Sequence, residues 1–272
     1  MIGSSITLED YTLEENVRIF RDHGFDRVEM WKYQMRRCKT DELRQKFAAY
    51  AQRMGIAMGG LNAVGEEYFQ PFGTDVQFQA TLEGLKADVD YALSLGTQDV
   101  LIWEGRAPEG TTENQRLDRC LPRLVELFQE AIAFAAPKGV RFLVEPHPFT
   151  VGMSDRLLIR LCDTLGLSSF GVTFDFCHYG VGRTQDYVKA VHALGPRIRH
   201  IHFSDSDQKS SELHFPPGQG RMDIQALLQA FKEIHYDGTM ALDLYGYPIP
   251  VQAFPDAVIR LREATQFLGI NG

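Results

Sequence analysis

Short apolar runs alternate with longer stretches in which apolar residues recur every three or four positions, and this alternation continues along the chain. Runs of the first kind read as strands buried on both faces, and stretches of the second kind as helices with one apolar stripe. The first strand is expected at 2–6, followed by a helix over 11–23 that Gly24 stops. Arg27 to Trp31 forms a second strand, Asp41 to about Gly55 a helix, and Ile56 to Asn62 a third strand of small residues. Phe78, Leu82, Leu85, Val89 and Leu93 mark one buried helical face, which Gly96 closes. A fourth strand covers Asp99 to Trp103, and Thr112 with Gln115 fits a capping box. The next helix carries its stripe on Leu117, Leu121, Leu124, Phe128 and Ala131. Strands at 142–145, 170–175, 198–203 and 238–243 follow, with helices at 157–165, 185–194, 224–234 and 254–268. A polar loop rich in Ser, Pro and Gly runs from Asp205 to Gly220.

Eight strands, each followed by a helix, predict an α/β protein, a (β/α)8 TIM barrel, as a single domain over 1–272. An open doubly wound sheet is the alternative, but no Gly-rich phosphate loop follows the first strand.

Composition narrows the partners. A formal net charge of −8 argues against a surface built for nucleic acid or anionic lipid. The first ten residues have neither the basic region nor the apolar core of a signal peptide, and no apolar run is long enough to span a bilayer. Cys38, Cys120, Cys162 and Cys177 are scattered without a C-x-x-C pair and read as free thiols of a reducing compartment, so a cytoplasmic protein is expected. A homo-oligomer remains open.

The polar residues at strand ends carry the chemistry. Glu145, Asp175, His202 and Asp243 end strands five, six, seven and eight. Consecutive staves of a barrel bring such ends to one mouth. Taken singly, each could cap a helix or pair with a base. Together, carboxylates and one imidazole suit one divalent ion, Mn²⁺ or Mg²⁺ in preference to Co²⁺ or Zn²⁺ because the set is oxygen-rich.

The phrases Val144-Glu145-Pro146-His147-Pro148, Phe174-Asp175-Phe176-Cys177-His178, His200-Ile201-His202-Phe203-Ser204-Asp205, Pro217-Gly218-Gln219-Gly220 and Leu242-Asp243-Leu244-Tyr245 resemble the xylose isomerase-like TIM-barrel superfamily. Sugar isomerases and epimerases, AP endonucleases and dehydratases belong to that group. The resemblance implies metal ligation by Glu145, Asp175, His202 and, with one methylene fewer than the usual glutamate, Asp243. It implies that His178 hydrogen-bonds substrate oxygens. The implied substrate is a small polyhydroxylated carbonyl compound that exchanges a proton through an enediolate, with Glu145 and Asp243 as catalytic carboxylates. A dehydratase or decarboxylase on the same metal is the alternative, and a non-catalytic ligand-binding barrel a third.

Departures limit the likeness. Ketose 3-epimerases carry an arginine where this chain has Gln208 and a glutamate where it has Val151. The three-zinc AP endonucleases need histidines where the third and fourth strands here end in Asn62 and Trp103, although Glu212-Leu213-His214 sits where a further ligand pair would fall.

Further expectations concern the surroundings. His147 either touches substrate or shapes its turn between two prolines. Trp31 and Trp103 are candidate pocket walls for substrate, with rim packing as their other use. Glu29 is a candidate interior acid. Cys177 lies between the candidate ligands and is expected to pack in the core and not to act as a nucleophile. His214 belongs to solvent or to a lid.

Overall fold

A strand of three residues, Ile2–Ser4 (β1), closes the sheet by pairing in parallel with both β2 (Arg27–Trp31) and β8 (Thr239–Leu242). Between them β3 (Ala57–Asn62), β4 (Asp99–Ile102), β5 (Arg141–Val144), β6 (Phe170–Asp175) and β7 (Ile198–Phe203) follow in chain order, giving a closed parallel barrel of eight strands. This computed structural model describes residues 1–270. Helices α1 (Leu13–Asp22), α2 (Asp41–Arg53), α3 (Asp75–Leu95), α4 (Glu113–Ala135) and α5 (Asp155–Leu165) lie in the first five connections. They are followed by α6 (Phe176–Gly182), α7 (Tyr187–Leu194), α8 (Ile224–Glu233) and α9 (Pro250–Leu268).

The core lies between strands and helices because parallel strands shed both faces from water. Phe128, for example, packs at 4.8 Å from Phe170 and 6.0 Å from Phe142, joining α4 to β6 and β5. The expected capping box of Thr112 and Gln115 forms, as do two more at Thr12/Glu15 and Thr74/Gln77. Each satisfies amides that the first helical turn cannot, worth roughly 1 kcal/mol.

Several boundaries differ from those read in the sequence. β1 stops at Ser4, because Ser5–Leu8 winds into a 3-10 turn. Leu93 is 39% exposed, since the stripe of α3 passes from Val89 through Ala92 to Leu95 and leaves Leu93 beside it. Trp103, Glu145 and Asp243 each stand one residue beyond their strands. The unanticipated α6 begins directly after Asp175, whose carboxylate accepts the amide of His178 at 2.7 Å and so caps it. That cap also fixes where Asp175 points.

The loop from Asp205 to Gly220 is ordered by one carboxylate. Asp205 accepts the amides of Ser206 (2.8 Å), Gly218 (3.0 Å), Gly220 (2.9 Å) and Met222 (3.1 Å), and its backbone bridges Phe215. A Cβ on Gly220 would lie 2.3 Å from Asp205 Oδ1, so the turn requires glycine there. Asp205→Ala should cost about 2–4 kcal/mol, since several buried amides lose a charged acceptor at once. Thermal unfolding checks this: a variant melting within a degree or two of the wild type would show the loop is held by other contacts.

Among the described residues no helix is long and apolar enough to cross a membrane, and all four cysteines are free.

Candidate active site

His202, on β7, stands at the centre of the barrel mouth. Its Nδ1 lies 2.5 Å from Glu145 Oε1, 3.5 Å from Asp243 Oδ2 and 3.6 Å from Asp175 Oδ2. Strand register explains the meeting. Asp175 is level with His202, while Glu145 and Asp243 follow the last residues of β5 and β8. The structure thus brings together all four residues that the sequence offered as ligands. Each is at most 3% exposed.

The opposite ring nitrogen, Nε2, faces Glu29 at 3.1 and 3.3 Å. Glu29 comes from β2 and also meets His200 Nε2 at 3.1 Å, the hydroxyl of Ser4 at 3.3 Å and the amide nitrogen of Asn62 at 3.1 Å. It is the interior acid of the sequence reading, and it fixes the ring of His202 so that Nδ1 points outward. A carboxylate behind a ligating imidazole raises the imidazole's basicity and sets its tautomer.

His214, which the sequence offered as a solvent or lid residue at the position of a further ligand pair, joins this cluster. Its Nδ1 lies 3.7 Å from Asp175 Oδ2 and 3.6 Å from Asp243 Oδ1. His178 Nδ1 lies 3.8 Å from Asp175 Oδ1, so Asp175 faces both donor groups. The only sequence signal for His214 was its spacing from Glu212 in the long loop. Local periodicity is silent about loops that fold back over a mouth.

The remaining candidates form the rim. His147 Nε2 lies 2.9 Å from Glu212 Oε1, tying the β5–α5 turn to the β7–α8 loop. Its ring packs at 3.8 Å on Phe149 and 4.4 Å from His178, with Trp103 5.2 Å away. Trp31 stacks on Tyr33 at 4.9 Å and lies 6.5 Å from Tyr245, which in turn is 6.0 Å from His214. Trp103 and Trp31 therefore stand on two sides of the same mouth. Cys177 is buried, its thiol reaching the carbonyls of Ser210 and Leu213 at 3.4 and 3.5 Å. Asn62 is spent on Glu29, and Val151 is buried.

Charge is concentrated here. Burial opposes ionisation of Asp175, yet His178 and His214 hold its carboxyl below the usual range. Burial pushes Asp243 up to about 6, with Asp175 and Glu145 adding to the rise against the pull of His214 and His202. Burial alone would depress His202, but Glu29 and Glu145 lift it well above an ordinary histidine. His178, buried more completely than its neighbours can offset, falls to about 4 and is neutral at pH 7.

These residues fit a divalent ion. Three carboxylates and an imidazole nitrogen converge, and Glu145, Asp175 and His202 offer donor atoms within 4.8 Å of one another. Asp175 Oδ2, His178 Nδ1 and His214 Nδ1 are buried without a hydrogen-bond partner, a state that ligation would relieve. Carboxylate oxygens with one or two imidazoles suit Mn²⁺, Mg²⁺ or Zn²⁺.

A closed parallel barrel with a carboxylate and imidazole cluster at the carboxyl ends of its strands defines a class of metal-site barrels. Residues 17–264 match the model of the xylose isomerase-like TIM barrel family, and the chain belongs to it. An inosose isomerase of Bacillus velezensis is 23% identical over 253 residues, covering 89% of this chain and 87% of its own. A fructoselysine 3-epimerase of Shigella flexneri is 24% identical over 241 residues, 85% of each. An uncharacterised protein of Methanocaldococcus jannaschii is 23% identical over 167 residues, and the match spans 60% of this chain and 56% of that protein. Among solved structures, the IolI protein with a bound zinc atom superposes with a TM-score of 0.79 at 20% identity over 98% of both chains. An L-ribulose 3-epimerase superposes at 0.81 and 15% identity, over 98% of this chain and 95% of that one. At such identities the structures speak for the fold.

Proposed function

We propose that this protein is a divalent-metal-dependent isomerase or epimerase acting on a small polyhydroxylated carbonyl compound, a sugar or keto sugar acid. The observation that carries the reading is the convergence of Glu145, Asp243 and Asp175 on His202 Nδ1 within 3.6 Å. Relatives named as an inosose isomerase and a fructoselysine 3-epimerase support it.

Glu145, Asp175, His202 and Asp243 would hold the ion, Mn²⁺ or Mg²⁺ being favoured by the oxygen-rich set. When bound, the metal would supply Lewis-acid polarisation of the substrate carbonyl, which acidifies the C–H bond of the neighbouring hydroxyl-bearing carbon. Glu145 then takes the carbon-bound proton. Asp243 follows β8, three staves away from the end of β5 that carries Glu145, and can deliver a proton from another side. Epimerisation uses both carboxylates, and isomerisation needs one to shuttle. Neutral His178 has a ring nitrogen free to hydrogen-bond a substrate hydroxyl. His147, Trp103 and Trp31 wall the pocket and exclude water from the reacting carbon. The free thiols accord with a cytoplasmic setting.

Metal content and substrate exchange test this. Ketoses and keto-aldonic acids incubated with the Mn²⁺-loaded protein in heavy water should take up deuterium without losing water or CO₂. Loss of either small molecule would reassign the protein as a lyase on the same site. Failure to bind any divalent ion would remove both readings. Addition of Mn²⁺ at about a hundred times its Kd should raise the melting temperature by roughly 5–8 °C over chelator-treated protein, the linkage expected for a ligand of the folded state.

A further inference from the structure

Glu104 takes no part in the cluster around His202. Its side chain is wholly buried, yet no cation pairs with it among the described residues. Oε1 accepts the amide of Gly152 at 2.6 Å, and Oε2 has no hydrogen-bond partner. A Cβ on Gly152 would stand 2.3 Å from Oε1, so a larger residue there would displace the Glu104 carboxyl.

This bond extends a short antiparallel ladder between the segments that follow β4 and β5. Ala107 donates its amide to the carbonyl of Phe149 at 2.9 Å, and Val151 donates to that of Gly105 at 3.1 Å, on either side of the Arg106–Thr150 bridge. Within the turn, the hydroxyl of Thr150 accepts the amide of His147 and donates to its carbonyl, both at 2.9 Å. The ladder thus carries Trp103, His147 and Phe149, one wall of the mouth.

We infer that Glu104 is a positioning residue that works as a neutral carboxylic acid, fastening the 147–152 turn to the 103–107 segment and so holding His147 and Phe149 beside the cluster. The inference rests on the mouth being the active site. A neutral acid accepts at its carbonyl oxygen and donates at its hydroxyl, whereas a carboxylate only accepts. The charged form would be buried without a counter-ion, facing Glu145 from the end of β5 and the unpartnered hydroxyl of Tyr179 on α6. Burial accordingly pushes the Glu104 carboxyl up to about 8, against the hydrogen bond from Gly152 that favours ionisation. Ionisation above that pH strengthens the acceptor for Gly152 but leaves a dry charge without a counter-ion, which is relieved by water entering between the two segments and so loosens the wall they carry.

Glu104→Gln tests this, because the amide keeps the shape and both polar faces and cannot ionise. In Mg²⁺-loaded protein, the ¹⁵N–¹H signal of Gly152 should move with a midpoint near pH 8 and the His147 ring signals should follow. Both should be free of that transition in E104Q. For any ketose that exchanges its proton, the ratio of wild-type to E104Q rate should fall about tenfold between pH 7 and 9, the loss of the neutral fraction. Glu104→Ala should displace the His147 signals already at pH 7 and raise KM more than it lowers kcat.

Stability provides a sign check. The folded pKa lies above the unfolded value of roughly 4.3, so this acid costs stability progressively as pH rises from there to about 8. The melting temperature of E104Q should gain on the wild type across that window. A Gly152 amide without inflection up to pH 9.5 would overturn the inference, as would an E104Q protein whose His147 signals match those of E104A. Should E104A not fold, E104Q decides alone. Should no keto compound exchange, the functional reading fails while the Gly152 and His147 signals still decide this one.

Discussion

Glu145→Gln should slow exchange of the substrate's carbon-bound proton by about 10³-fold at saturating Mn²⁺, within the 10²–10⁴ range typical of a positioned general base. The substitution preserves volume but removes the charge that faces His202 Nδ1 at 2.5 Å. It therefore also weakens metal binding, and the two effects are separable. Titrating Mn²⁺ gives the change in affinity, and the exchange rate at saturation gives the change in chemistry. Asp243→Asn supplies the contrast. An isomerase that shuttles its proton on Glu145 keeps exchange in this variant, whereas an epimerase keeps exchange and loses inversion. Exchange within tenfold of the wild type in E145Q, with metal bound, would assign the base elsewhere.

Glu29→Ala should weaken divalent-metal binding 10- to 100-fold without touching a ligand. Glu29 is the acceptor behind both His202 and His200, and it takes further hydrogen bonds from Ser4 and Asn62. With it gone, His202 loses the contact that turns Nδ1 to the mouth. Two histidines, a hydroxyl and an amide would be left in a dry interior, costing on the order of 3–5 kcal/mol of stability. Metal titration and urea unfolding measure both effects. Glu29→Gln retains acceptor and volume and should fold where the alanine variant is too unstable to study. Wild-type affinity in either variant would show that His202 is oriented without Glu29.

How far local pattern reaches is visible in particular residues. The strands that carry or lead into Glu145, Asp175, His202 and Asp243 are short, largely apolar runs, and such runs report themselves because burial on both faces favours apolar residues. Chain order then predicted neighbouring staves, and the closed sheet follows that order. Boundaries were less legible. Leu93 sits at helical spacing from Val89 and is still 39% exposed, because spacing allows two continuations of a stripe and packing against neighbours selects one. The helix α6 was hidden because its start depends on the cap that Asp175 gives the His178 amide.

The sequence by itself determined the barrel and the four strand-end residues, since both follow from periodicity and chain order, which are local. Only the tertiary structure decided the surroundings of that site. Glu29 sits behind His202 because β2 and β7 face each other across the barrel, 173 residues apart in the chain. His214 reaches Asp175 because Asp205 folds its loop back, and Glu104 meets Gly152 because two loops run side by side. Contacts of this kind are made across space by polar groups shed from water, and no repeat along the chain encodes them.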